Sequence, residues 1–153
     1  MSRRDQIKMT DAEVAAFIEE QRTMSVATIG KSGRPHLVAM WYAILDGVPC
    51  FWTFAKSQKV VNLRRDPRIT CMVEAGNEYS ELRGVELIGH VEMTEDEDEV
   101  LKFGVAQWER YQGIKVGEAT LPAVKRMAAK RVVVRIIADK VVSWDHLKLG
   151  GKY

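Results

Sequence analysis

With 153 residues, the chain has the length of one domain, which excludes an enzyme built from separate cofactor and substrate domains. Hydrophobic residues make up 46% of the sequence and charged residues 29%, as in globular rather than disordered proteins. A formal net charge of +2 argues against a dedicated nucleic-acid binder. We expect one domain over residues 1–153.

No segment of the sequence has the character of a targeting or membrane segment. The first residues are polar and charged, and no run approaches the ~18 apolar residues of a membrane span. The two cysteines are too few for a disulfide framework. We expect a cytoplasmic protein with free thiols and no membrane partner.

The N-terminal half combines predicted helices with β-rich segments. Thr10, followed three residues later by Glu13, is a capping box and predicts a helix over 11–22. Asp46-Gly47 is a strong hairpin signal between two apolar runs. The remaining predicted elements are strands over 24–29, 35–45 and 48–54 and a short helix over 57–65, which ends before Pro67.

The C-terminal half continues in the same way. Thr94 and Glu97 form a second capping box, which predicts a helix beginning after Thr94 and running past Trp108. Pro122 suits the first turn of another short helix, which ends near Lys130. The predicted strands of this half cover 69–74, 85–93, 132–137 and 141–144, the last two as one strand or two.

The short connections between the first three strands require antiparallel pairing, because parallel strands need long crossovers. About six strands with few helices between them predict a mainly β fold with flanking helices, arranged as a closed or split barrel. The segment 35–45 is apolar on both faces, so one face can fill the barrel while the other needs a cover. A partner subunit or a flat aromatic ligand would cover that second face. We expect a homodimer.

The sequence offers no pattern for metal binding or nucleophilic catalysis. Its histidines and cysteines do not fall at metal-ligand spacings, and no nucleophile elbow or catalytic cysteine signature is present. An arginine cluster near residues 64–68 lacks any nucleic-acid recognition motif, and cations are favourable at a helix C-terminus. These histidines and cysteines are His36, His90, His146, Cys50 and Cys71.

A candidate phosphate site lies where the predicted strand 48–54 leads into the helix 57–65. Ser57 is a plausible N-cap, and the free amides of a first helical turn attract anions. Lys56 and Lys59 add positive charge at that end, and Thr53 offers a hydroxyl. A bound phosphate would neutralise two cations that are unfavourable for the helix alone. The alternative is a solvated lysine pair before an ordinary helix.

Three motifs carry a resemblance to a known family. They are the turn Gly33-Arg34-Pro35, the helix Lys59 to Arg68 with its Asn-Leu-Arg-Arg-Asp-Pro-Arg run, and the strand around Gly84-Val85-Glu86. Together they resemble the pyridoxamine 5′-phosphate oxidase-like split β-barrel proteins, over about residues 25–144. The C-terminal run 143–151, with Ser-Trp-Asp-His and Gly-Gly, is similar to the flavin/deazaflavin oxidoreductase B group.

The resemblance implies a homodimeric split barrel that binds FMN or the deazaflavin coenzyme F420 at the subunit interface. The ring would be lined by His36, Val38, Ala39 and Met40, and the phosphate would be held by Thr53, Lys56, Ser57 and Lys59. Arg83 and Trp144 would reach the cofactor from the partner chain.

The implied activity is an F420-dependent oxidoreductase that transfers a hydride to a small conjugated organic acceptor. An FMN-dependent oxidoreductase and a non-catalytic flavin or deazaflavin binder are the alternatives. The C-terminal arginine and histidine pattern of true pyridoxamine phosphate oxidases is not found in the sequence, which argues against vitamin oxidation.

Overall fold

A computed structural model describes residues 2–150 of the chain, so Gly151 of the C-terminal motif lies outside the described residues. The helices in this range are α1 (Arg3–Ile7), α2 (Asp11–Glu20), α3 (Gln58–Arg65), α4 (Glu97–Gln112) and α5 (Leu121–Ala128). The strands are β1 (Thr23–Ile29), β2 (Pro35–Trp41), β3 (Ala43–Leu45), β4 (Val48–Phe54), β5 (Arg68–Ala75), β6 (Arg83–Thr94) and β7 (Arg131–Asp145). Short 3₁₀ turns cover Tyr79–Glu81 and His146–Leu149.

The strands form one antiparallel sheet in the order β2-β1-β5-β6-β7-β4-β3. Its two edge strands, β2 and β3, are consecutive in the chain and are joined by Tyr42 alone. The sheet therefore curls back on itself without closing. This half-barrel with flanking helices confirms the predicted mainly β, split β-barrel fold.

The inner face of the curled sheet and part of its outer face are packed. The inner face forms one core with α2 and α3, which includes Met24, Val26 and Phe51. The outer face of β3, β4 and β7 packs against α4 in a second core, which includes Trp52 and Phe103. Because successive strand residues point to opposite faces, the neighbours Phe51 and Trp52 serve different cores.

Several local predictions are confirmed. Thr10 and Glu13 form the capping box at the start of α2. Asp46 and Gly47 adopt positive φ angles of 52° and 77° at the β3–β4 hairpin, as a tight turn of the primed type requires. Pro122 lies in the first turn of α5.

The predicted strand over 35–45 is wrong at its centre, because Tyr42 interrupts it. The backbone N–H of Tyr42 donates to the Tyr111 hydroxyl over 3.0 Å, and that hydroxyl lies 2.8 Å from the Tyr42 carbonyl. A side chain from α4 thus takes the place of a neighbouring strand. The buried Tyr42 hydroxyl contacts the Ile18 and Gln21 carbonyls, and burial raises the pKa of Tyr42 to about 12.

Two predicted helix ends are also corrected. Thr94 does not cap α4: it pairs with Val133 at the end of β6, and Asp96 accepts the amide of Glu99 instead. Helix α2 ends at Glu20, two residues early, where the guanidinium of Arg110 donates to the carbonyls of Glu19 and Gln21. Among the helices of residues 2–150, none is long and apolar enough to cross a membrane.

Candidate functional site

The end of β4 and the start of α3 bring three of the predicted phosphate-binding residues into contact. The Lys59 ammonium donates to the Thr53 hydroxyl over 3.0 Å. That hydroxyl in turn donates to the Ser57 hydroxyl over 3.2 Å. Thr53 is only 5% exposed, whereas Lys56 is exposed at the mouth of the corner. We call Thr53, Lys56, Ser57 and Lys59 the α3 corner.

The charges of the α3 corner are arranged for an anion. Ser57 is the N-cap of α3, yet its side chain makes no capping hydrogen bond, so the first-turn amides keep their free donors. The first turn of α3 contains no acidic residue. Partial burial lowers the pKa of Lys59, and within residues 2–150 no carboxylate forms an ion pair with Lys56 or Lys59. Uncompensated positive charge therefore collects at the positive end of a helix.

Strand β2 divides the predicted ring-lining residues between its two faces. His36, Val38 and Met40 pair across the strand with the buried Thr28, Val26 and Met24, so these three side chains face the inner core. Val38 and Met40 pack against that core. Ala39 lies on the outer face and is exposed.

Side-chain hydrogen bonds connect α3 with the end of β1, which pairs with the start of β2. Gln58 donates to Asn62 over 2.9 Å, and Asn62 donates to Thr28 over 3.0 Å. Thr28 is the cross-strand partner of His36, whose Nδ1 is buried without a hydrogen-bond partner in the described structure. These hydrogen bonds therefore hold the N-terminal end of β2 and the α3 corner at the same end of the barrel.

The structure adds a cation to this end that sequence reasoning missed. Arg131 opens β7 as the cross-strand partner of Phe54, and its guanidinium lies over the rings of Phe54 and Trp52 at 4.5 and 4.6 Å. Its Nε donates to the Met127 carbonyl over 2.6 Å, and burial lowers its pKa. The pairing of β4 with β7 brings Arg131 to this end of the barrel, and no local sequence motif predicts that position.

Arg83 and Trp144, predicted to reach a cofactor in the partner, already make contacts within their own chain. Arg83 pairs with Glu20 at 3.3 Å and lies over the Phe17 ring at 5.0 Å. The Trp144 ring covers Gly84 so closely that a Cβ there would lie 2.1 Å from a ring carbon. Both side chains thus have structural contacts of their own.

The two cysteines and the arginines of the 64–68 cluster lie in structural surroundings. Burial raises the pKa of Cys50 to about 11 and that of Cys71 to about 12, so both remain protonated thiols at neutral pH. Among residues 2–150, no group of three or more His, Cys, Asp or Glu side chains is placed to hold a metal ion. The arginines of the 64–68 cluster contact their own chain, at Glu95, the Ile29 carbonyl and Asp66.

Comparison with known families identifies the family of the chain. The family model described as pyridoxamine 5′-phosphate oxidase matches residues 10–145, which is most of the chain. The chain belongs to the pyridoxamine 5′-phosphate oxidase family. The matched range contains all of β1–β7 together with the α3 corner. Comparison with the curated proteins gives no match.

Solved structures include relatives with this family's fold. A conserved hypothetical protein from Mycobacterium tuberculosis is 47% identical, with a TM-score of 0.94, and the match covers 100% of this chain and 95% of that one. An F420 reductase is 26% identical, with a TM-score of 0.64 and coverage of 82% and 93%.

More distant structures share the fold alone. An FAD-binding protein from Mesorhizobium loti is 20% identical, with a TM-score of 0.65 and coverage of 89% and 93%. A heme-binding protein from Mycobacterium smegmatis is 18% identical, with a TM-score of 0.64 and coverage of 93% and 60%. The same fold therefore occurs in proteins named for different redox groups.

Proposed function

We propose that the chain is an F420-dependent oxidoreductase of the flavin/deazaflavin B group and holds the cofactor phosphate in the α3 corner. The observation that carries the proposal is the half-buried Lys59 ammonium at the start of α3, which has no carboxylate partner in the described chain. It donates to the Thr53 hydroxyl, which in turn donates to the Ser57 hydroxyl. An anion with several acceptor oxygens satisfies all of these donors at once. The likeness to an F420 reductase at 26% identity supports the choice of cofactor.

The residues around the corner fit a tricyclic redox cofactor. Thr53, Ser57 and Lys59 supply donors for its phosphate, and Lys56 adds an exposed charge at the mouth. Strand β2 is an edge strand, so alternate backbone N–H and C=O groups are free to bind the polar edge of a ring. When bound, the cofactor supplies the hydride chemistry, while the chain positions it and excludes water.

Titration of the cofactor-free protein with F420 and with FMN tests this function. We expect F420 to bind more tightly than FMN, and reduced F420 to be oxidised in the presence of a conjugated enone or quinone. Tighter binding of FMN with turnover would favour the FMN-dependent alternative. Tight binding with no turnover of any acceptor would favour a non-catalytic binder, and no binding of either cofactor would contradict the proposal.

We also propose that the protein is a homodimer. Leu37, Ala39 and Trp41 lie on the outer face of β2, and strand register places Met72 of β5 on the same face of the sheet. Leu37 and Trp41 are 66% and 52% exposed, respectively. Exposed apolar side chains on an edge strand are typical of a protein–protein interface.

Sedimentation velocity at micromolar concentration is expected to give twice the monomer mass. Leu37→Asp places a charge in the proposed interface and is expected to yield monomers. Ile114→Asp, at an exposed position beyond the end of α4, serves as the matched control and is expected to remain dimeric. A wild-type monomer at this concentration would refute the dimer.

A further inference from the structure

A large cleft lies between the start of α4 and the end of α5, beside the first residue of β7. Its volume is about 510 Å³, within the roughly 300–1,000 Å³ that is typical of small-molecule sites. Val100 and Leu101 of α4 and Ala128 of α5 form its apolar part. We call it the α4–α5 cleft. Its charged lining residues are Glu95, Glu97, Asp98, Lys125, Lys130 and Arg131.

The charges of the α4–α5 cleft are of both signs and mostly unpaired. The free acidic groups belong to the first turn of α4, and the cations belong to α5 and the residues that follow it. In the described part of the chain, Glu95 alone among the lining residues forms an ion pair, which it makes with Arg64 outside the lining. Opposite charges therefore line one cleft at separations too large for direct contact.

Stabilisation of the helix ends accounts for part of this charge pattern. Acidic residues stabilise the start of α4, and Lys125 stabilises the end of α5. The Arg131 Nε donates to the Met127 carbonyl over 2.6 Å, but the two terminal nitrogens of its guanidinium make no hydrogen bond within residues 2–150. The exposed Lys130 ammonium also has no hydrogen bond or ion pair in that range. Two cations of the cleft thus keep free donors.

Lys130 occupies its position at a cost to the backbone. Its φ is 65°, in the left-handed region that glycine adopts without steric cost. Its carbonyl accepts the Ala55 amide over 3.0 Å, which fixes the turn from α5 into β7 against the end of β4. Glycine would make the same turn and the same backbone hydrogen bond with less strain. Unfavourable backbone conformations cluster at functional sites, so the lysine side chain, not its backbone, accounts for this residue.

We propose that the α4–α5 cleft binds a small linear zwitterion, such as a short peptide or an ω-amino acid, with its carboxylate and ammonium at opposite ends. The carboxylate lies among Lys125, Lys130 and Arg131, and the ammonium lies at Glu97 and Asp98. A simple anion or cation is repelled by one side of the cleft, whereas a zwitterion compensates both sides. None of the α3 corner residues lines the cleft, so this site is independent of the proposed cofactor site.

The separation of the charges makes the proposal specific. An α-amino acid carries its ammonium and carboxylate on one carbon atom, too close together to reach both sides of a cleft whose own charges do not meet. A chain of several carbon atoms between the two groups spans that distance and covers the apolar part of the cleft.

Calorimetric titration of the full-length, cofactor-free protein with 6-aminohexanoate tests this site. Hexanoate and hexylammonium each lack one charge, and 2-aminohexanoate is an isomer with both charges at one end. We expect 6-aminohexanoate to bind at least about five-fold more tightly than each of the three, the effect of one additional charged contact. Equal affinities for the four compounds, or no binding of 6-aminohexanoate, would overturn the proposal.

Lys130→Gly separates ligand binding from a structural role. We expect it to weaken 6-aminohexanoate binding about five-fold, while the urea unfolding midpoint stays unchanged or rises because the positive φ suits glycine. Lys130→Met keeps the aliphatic stem and is expected to weaken binding equally. Arg126→Gln is the matched control, because Arg126 lies on α5 but not in the lining, and it is expected to change the affinity less than about two-fold. Wild-type affinity in Lys130→Gly would contradict the proposal.

Asp98→Asn tests the orientation of the ligand. It removes a charge proposed to face the ammonium, so it is expected to weaken binding of 6-aminohexanoate and to leave hexanoate binding unchanged or tighter. Equal weakening of both compounds would mean that Asp98 supports the fold of the cleft, and the assigned orientation would be wrong.

Discussion

Replacing Lys59 with alanine is expected to weaken binding of F420 or FMN by about 10- to 150-fold, equivalent to about 1.5–3 kcal/mol for a hydrogen bond to a charged group. The substitution removes the half-buried ammonium that donates to Thr53, whose hydroxyl in turn donates to Ser57. Calorimetric titration measures the effect. Lys115→Ala is the matched control, because Lys115 is exposed, pairs with Glu109 and lies far along the chain from α3. Equal losses for the two variants would place the phosphate elsewhere.

The stability of the cofactor-free protein separates binding from a structural role. Burial lowers the pKa of Lys59, so the folded state disfavours its charged form relative to the unfolded chain. At neutral pH the ammonium therefore costs stability, and this cost falls as pH rises through the lowered pKa. Lys59→Ala is expected to leave the unfolding midpoint unchanged or slightly higher. A parallel loss of stability and affinity would instead indicate that Lys59 is structural.

The parts of the fold that depend on neighbouring residues could be predicted from the sequence. The β3–β4 hairpin depends only on Asp46 and Gly47, whose positive φ angles are favourable for these residue types. The start of α2 depends on Thr10 and Glu13, three residues apart. Such local chemistry works in the same way in any fold.

Features that depend on distant residues could not be predicted. The break at Tyr42 is caused by Tyr111, which lies 69 residues further along the chain. Thr94 has the residue type and spacing of a cap, yet pairing with β7 keeps it in β6, and the cap moves to Asp96. In both cases a tertiary contact overrides a correct local preference.

The candidate site likewise contains residues placed by local structure and residues placed by distant contacts. Thr53, Ser57 and Lys59 lie within one strand–helix junction, so their proximity follows from short-range structure. Arg131 joins this end of the barrel only through the register of β4 with β7, which no single segment encodes. The family resemblance places Ala39 beside the ring together with its neighbours, and the pleat of β2 turns its side chain to the outer face.

Successive side chains of β4 point alternately to the inner and the outer face of the sheet, so replacing neighbouring residues should have very different effects on stability. Phe51→Ala is expected to lower the free energy of unfolding by about 3–5 kcal/mol, because it empties a fully buried position in the inner core. Phe54, on the same strand, is 55% exposed and lies under the Arg131 guanidinium. Phe54→Ala is expected to cost no more than about 1 kcal/mol.

Urea unfolding of both variants, with the slope of the transition checked for constancy, measures this difference. The same alternation that buries Phe51 turns Thr53 inward toward Lys59 and leaves Phe54 outside with Arg131. Equal costs for the two phenylalanines would mean that the faces of β4 are wrongly assigned. Thr53 would then not face α3, and the α3 corner would lose the hydroxyl that links Lys59 to Ser57.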